Sequence, residues 1–130
     1  MRFVLGVMLS LLALPAVSQT DVLVSWSLVS VGGVAAEPGG RIAFSADGAV
    51  FGSTGCNRFQ SSAVAAPGVL TFNSAAAATK MACLGPLAEQ EEQVLGALVG
   101  TVAVAYDPVA ERMMLIPQEG AAVLGFVRTE

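Results

Sequence analysis

From Val22 onward, apolar residues alternate with polar ones or gather in short runs, and turn-forming residues separate the runs. "VLVSWSLVSV" (Val22 to Val31) predicts a strand carrying Trp26, and the glycine-rich "GGVAAEPGG" (Gly32 to Gly40) predicts a loop. "RIAFS" (Arg41 to Ser45) and "AVFGST" (Ala49 to Thr54) flank "ADG", whose Asp-Gly pair tolerates the positive φ of a hairpin turn. "NRFQSSAVA" (Asn57 to Ala65) and "VLTFN" (Val69 to Asn73) predict two more strands around the turn "APG" (Ala66 to Gly68). Ser74 to Thr79 is rich in alanine but has no apolar face at helical spacing, which predicts an extended or irregular segment.

The pattern changes period at Pro86. Leu87, Val94, Leu95 and Leu98 make one apolar stripe at helical spacing, so a helix is predicted from Pro86 to Val99. Pro86 suits the first helical position, Glu89, Glu91 and Glu92 lie near the positive end of the dipole, and Gly100 is a stop. The acidic run reads as a solvated face. Three strands follow: Thr101 to Asp107, Arg112 to Gln118 and Ala121 to Arg128. Adjacent methionines Met113 and Met114 must face opposite ways on a strand. Trp26, Phe59 and Met81, being large and apolar, are expected in the core.

The predicted class is α+β: a curved, mostly antiparallel sheet or partial barrel of about eight short strands, with one helix packed on it. Short connections favour neighbouring antiparallel pairs, and a sheet this long in a small domain must curl to bury its apolar face.

The first residues change the setting. "MRFVLGVMLSLLALPAVSQT" has a positive start at Arg2, an apolar run from Phe3 to Leu14, a break at Pro15 and small residues before a cut after Ser18. That is the pattern of a signal peptide over residues 1–18, leaving one domain over residues 19–130. The apolar run is short for a membrane span, which takes ~20 residues. A soluble periplasmic or secreted product is expected, with no span left after cleavage, and a monomer is expected. The full chain carries a net charge of −4, and its cations are scattered, so no basic stripe exists for nucleic acid.

An oxidising compartment alters the reading of the two cysteines, Cys56 and Cys83. Two cysteines in an exported domain favour one disulfide, worth roughly 3–4 kcal/mol for a loop of this length. Two buried free thiols and a reactive thiol are the other readings. Reactivity needs a base, a cation or a C-x-x-C pair, and the chain has no histidine and no such pair. No metal or other cofactor is expected: two cysteines without histidine fall short of a zinc site, and the carboxylates do not form a calcium loop. Hydrolytic triads and a phosphate-binding loop are likewise missing from the sequence. Gly52 and Gly55 read as a turn or bulge, or as a close backbone approach, and Asn57 as a brace for that turn.

"GSTGCNRF" (Gly52, Gly55, Cys56, Asn57, Phe59) resembles the G-x-x-G-C-N-x-F signature of the META domain, the family that includes the bacterial heat-shock protein HslJ. "TKMAC" (Thr79, Met81, Ala82, Cys83) resembles that family's second phrase, and Trp26-Ser27-Leu28 near the start, the acidic helix and the closing Leu124-Gly125-Phe126 also fit. Ser61 and Ala63 stand where relatives often have glycine and tyrosine. The resemblance implies a small curved sheet with a helix, a cell-envelope location and an association with stress tolerance. It implies no reaction. The expected function is therefore a non-enzymatic exported protein, a small binding or interaction module for an envelope protein or a small ligand. The alternatives are thiol redox work at Cys56 and Cys83, and carriage of a small apolar ligand inside the curved sheet.

Overall fold

The computed structural model of the protein describes residues 22–118 and 120–129. The expected signal peptide lies outside the described residues. Ten strands and one helix follow in chain order. They are β1 (Val22–Val31), β2 (Val34–Ala35), β3 (Gly40–Ser45), β4 (Ala49–Thr54), β5 (Arg58–Ala66), β6 (Val69–Phe72), β7 (Ala77–Ala78), α1 (Pro86–Ala97), β8 (Gly100–Asp107), β9 (Arg112–Ile116) and β10 (Leu124–Arg128). Most elements match the hydrophobic pattern, but β2 falls inside the predicted loop and the last strand begins at Leu124, three residues after Ala121. Ser74 to Thr79 is irregular apart from the two residues of β7, and the helix stops two residues before Val99.

The sheet closes. Neighbouring strands run β1-β3-β4-β5-β6-β8-β9-β10, all antiparallel, and β10 pairs back onto β1 to complete an eight-stranded barrel. β2 adds to β1, and β7 adds to β5 beside β6. Closure rests on β1, whose ten residues serve two edges: Val22 to Ser27 pair with β3, and Trp26 to Val31 pair with β10. Its register shifts once against each partner, and such irregularities add the local twist that lets one strand turn between two neighbours.

Register places alternate residues inside. Trp26 faces Ile42, Val50 faces Phe44, Ala63 faces Phe72, Val102 faces Leu70, and Leu115 faces Leu124. Ile42, Val50, Val102, Leu115 and Leu124 are all but sealed from solvent. Met113 is buried while Met114 is 44% exposed, as opposite strand faces require.

The helix lies across one end. Gln90, Val94, Ala97 and Leu98 form its buried face, with Leu87 and Leu95 half-buried at the margins. Between Val94, Leu98 and the barrel residues Leu28, Ile42, Phe59 and Phe126 there is no room for a water molecule. Burial of Val94 and Leu98 is worth roughly 1.5–3 kcal/mol each and favours docking of the helix there. Among the described residues no helix is long and apolar enough to cross a membrane.

Strand direction sorts the connections. Residues 32–39, 55–57, 73–99, 117–118 and 120–123 lie at the helix end, whereas among the described residues the connections at the opposite end are the short turns at 46–48, 67–68 and 108–111.

Candidate functional site

The two signature phrases meet at the helix end. Cys56 and Cys83 are joined by a disulfide, with Cα atoms 6.0 Å apart across 27 positions of chain. Beside it Asn57, only 1% exposed, uses every hydrogen-bonding position of its side chain. Its Oδ1 accepts the Thr79 hydroxyl at 2.8 Å and the Met81 N–H at 2.7 Å. Its Nδ2 donates to the Met81 carbonyl at 3.1 Å and to Glu91 Oε2 at 2.7 Å. One amide thus ties the β4–β5 turn to the segment before the helix and to the helix itself.

Thr54 completes the knot. Its Oγ1 accepts the N–H groups of Cys56 and Asn57 at 3.1 and 3.0 Å and donates to Glu91 Oε1 at 2.6 Å. One helix turn position away, Gln90 is 5% exposed; its Nε2 donates to the Thr54 carbonyl at 2.7 Å, and its Oε1 accepts the Glu37 N–H at 2.8 Å. Thr79 adds main-chain and side-chain bonds to Arg58.

The two signature glycines serve different needs. Gly52 lies within β4, and a Cβ there would sit 2.0 Å from the Arg41 carbonyl oxygen, so the position admits only glycine while β3 is this close. Gly55 has φ +106 and is crowded by Gln90, Leu87 and the Pro38 carbonyl. It supplies the left-handed turn that brings Cys56 and Asn57 under the helix.

Phe59 and Trp26 are buried at 4% and 5%, as expected. Met81 is not: its side chain is 62% exposed, and Leu84 beyond it is 80% exposed. The reason is that residues 79–83 are pinned over the barrel end by their main chain and by Cys83, which leaves the Met81 side chain pointing away. The phrase "TKMAC" is therefore read out through the Thr79 hydroxyl, the Met81 peptide groups and the Cys83 sulfur, while Ala82 is exposed. A second correction concerns the acidic run. Glu89 and Glu92 are exposed, but Glu91 is half-buried and bonded to Thr54 and Asn57. Gln90 and Glu91 were the contributors that hydrophobic patterning missed, since a polar residue on the stripe carries no apolar signal. The polar step in an otherwise apolar stripe at Gln90 was the one available hint.

Ser61 and Ala63 occupy inward positions of β5. Ser61 donates to the Ser74 carbonyl at 3.3 Å, and Ala63, 8% exposed, donates its N–H to Gly48 at 2.9 Å.

The knot has little chemistry to offer. Cys56, Cys83 and Glu91 bring their ligand atoms within 4.8 Å of one another, but sulfurs bonded to each other are not thiolate ligands. The Glu91 carboxylate is engaged at both oxygens.

At the opposite end the barrel opens. The inner face there forms an apolar mouth of about 550 Å³, lined by Trp26, Phe44, Leu70, Val104, Tyr106 and Arg128 among others. Trp26 and Tyr106 meet edge to face at 5.8 Å, and the Arg128 guanidinium lies 5.4 Å from the centre of the Trp26 ring.

Known proteins supply the relatives. No curated protein matches the chain significantly. A protein solved by NMR superposes with a TM-score of 0.65 at 25% identity, over 80% of this chain and 87% of its own. A second, from Burkholderia xenovorans, superposes at 0.61 and 23% identity over 94% of this chain and 99% of its own. The META domain family model matches residues 20–130. With the signature residues gathered into one knot and the match spanning nearly the whole chain, the protein belongs to the META domain family.

Proposed function

We propose that this META domain protein is a non-enzymatic binding or interaction module of the bacterial cell envelope, exported through a cleaved signal peptide and serving stress tolerance. The observation that carries the reading is the mutual saturation of the signature residues. Asn57, Thr54 and Glu91 spend their hydrogen bonds on one another and on Cys56, Thr79 and Met81, and the two cysteines are joined. A group so engaged is a brace, and among the described residues both cysteines are spent in the disulfide and both Glu91 oxygens in hydrogen bonds. The work then falls to a surface. The disulfide supports export, since such bonds persist outside the reducing cytosol.

Fractionation of an expressing bacterium tests the location. The expected product is periplasmic or secreted, lacks residues 1–18 and has no free thiol after denaturation. A full-length cytosolic product with two alkylatable thiols overturns the reading. Deletion strains grown under heat and antibiotic stress test the role, with growth equal to the parent in every condition as the contrary result. The thiol alternative predicts that the purified protein catalyses disulfide exchange; the saturated knot predicts none. Carriage of an apolar ligand deep in the barrel is disfavoured between Val94, Leu98 and the barrel residues Leu28, Ile42, Phe59 and Phe126, where no water-sized space is left.

A further inference from the structure

The mouth lies away from the two signature phrases around Cys56 and Cys83. Its walls come from every strand of the barrel except the signature-bearing β4: inner-face residues Val24 and Trp26 from β1, Phe44 from β3, Ala65 from β5, Leu70 from β6, Val104 and Tyr106 from β8, Met113 from β9 and Arg128 from β10. Register explains the placement of Arg128. It is the direct partner of Trp26 across the closing β1–β10 pair, so its side chain leaves the strand on the inner face. Among the described residues lining the mouth it is the one that carries a charge.

A cation at the rim of an apolar recess selects an amphipathic ligand of opposite sign. The recess of about 550 Å³ lies within the ~300–1,000 Å³ range of small-molecule sites. A single planar guanidinium matches one carboxylate through two parallel hydrogen bonds, whereas a polyanion would want more cations than the mouth holds. We propose that the mouth binds a monomeric aliphatic carboxylate of the fatty-acid type, its chain against Trp26, Phe44, Leu70 and Val104 and its head group at Arg128. The ligand is held at the rim and not swallowed, because the barrel centre below is filled by Ile42, Val50, Val102, Leu115 and Leu124. This inference rests on the reading of the protein as a binding module and names the ligand class.

The chain provides its own reporter, since Trp26 is the sole tryptophan. Dodecanoate is titrated into the purified oxidised protein, below the concentration at which it forms micelles. Binding is read by calorimetry and location by Trp26 emission. Saturable one-to-one binding with a change in that emission is expected. Each methylene removed should weaken it roughly fourfold while the chain stays inside the mouth. Arg128→Gln should weaken dodecanoate at least tenfold and leave dodecanol unchanged, whereas Arg128→Lys, which keeps the charge and loses the two-point contact, should recover only part of the loss. Ala65→Phe, at an exposed strand position that tolerates bulk, should fill the mouth and abolish both. The proposal is overturned by absence of saturable binding, by binding that leaves Trp26 emission unmoved, by an Arg128→Gln variant that holds acid and alcohol as the parent does, or by association with lipid vesicles in place of monomers. Those outcomes, with export and the disulfide intact, reject the ligand and leave the module standing. A cytosolic, reduced product that still bound dodecanoate would do the reverse.

Discussion

At the helix end of the barrel, contacts join residues far apart in the chain. Glu91 reaches Thr54 and Asn57, Gln90 reaches Glu37, and Cys56 reaches Cys83. At the mouth, three short turns close the strand pairs, and the side chains between them are apolar and partly open to solvent. One end is fastened by polar and covalent bonds and is finished; the other is packed more lightly and is left with unfilled surface. The difference separates the two signature phrases from the surface proposed to bind a ligand. Gly52, Gly55, Cys56, Asn57, Phe59, Thr79 and Cys83 all serve the fastened end, and none of them lines the mouth.

Breaking the fastening should cost most. Replacing Cys56 and Cys83 together by alanine releases a loop of 27 positions and should lower stability by about 3.5 kcal/mol in the chain-entropy account. Urea unfolding of oxidised protein and variant measures it. A loss under about 1 kcal/mol would mean that the disulfide constrains the unfolded chain little and that the hydrogen bonds carry the end. Asn57→Ala comes next. It strands the Met81 peptide groups, the Thr79 hydroxyl and one oxygen of Glu91 together, and should cost about 2–3 kcal/mol. Because Asn57 and the disulfide brace the same segment, the two losses should not add, and a double-mutant cycle reads the coupling.

The strands were legible because period-two patterning and turn residues coincide at each boundary, as at "ADG" between β3 and β4. Closure of the barrel was not. It depends on the register irregularities of β1 and on the β10–β1 pairing, neither of which leaves a pattern within any one strand. At the site, the proximity of the two cysteines followed from compartment and count. The role of Glu91 did not follow, because an acidic run on a helix looks the same whether its middle carboxylate meets water or a buried amide. Met81 misled for the converse reason: its side chain argues for burial, while its main chain is what the fold uses.

The mouth should yield less to mutation. Tyr106 is 50% exposed, and its main contact is the edge-to-face pair with Trp26. Tyr106→Ala should cost about 0.5–1.5 kcal/mol, read by the same urea unfolding. A cost equal to that of Asn57→Ala would erase the contrast between a fastened end and a lightly packed one.

The smallest effect sharpens the contrast between two carboxylates. Glu91 bridges elements 34 and 37 positions away, whereas Asp47, in the turn at the mouth, accepts only from the Ser45 hydroxyl and the Ala49 N–H, each two positions away. The Ser45 hydroxyl first, and the Ala49 N–H after it, hold the Asp47 carboxyl below its ordinary pKa. A group depressed in the folded state adds stability above its unfolded pKa and surrenders it as pH falls through the folded value. Asp47 is fully exposed, so water and salt screen most of that contribution. Asp47→Asn should therefore unfold only slightly more easily at neutral pH. The curves of variant and parent should converge below the folded pKa, which carboxyl-carbon NMR titration of Asp47 locates. Curves that stayed parallel into acid would show that the carboxylate charge contributes nothing to the turn. A neutral-pH loss as large as that of Asn57→Ala would show that this local turn helps hold the barrel shut, as the long-range bonds do at the other end.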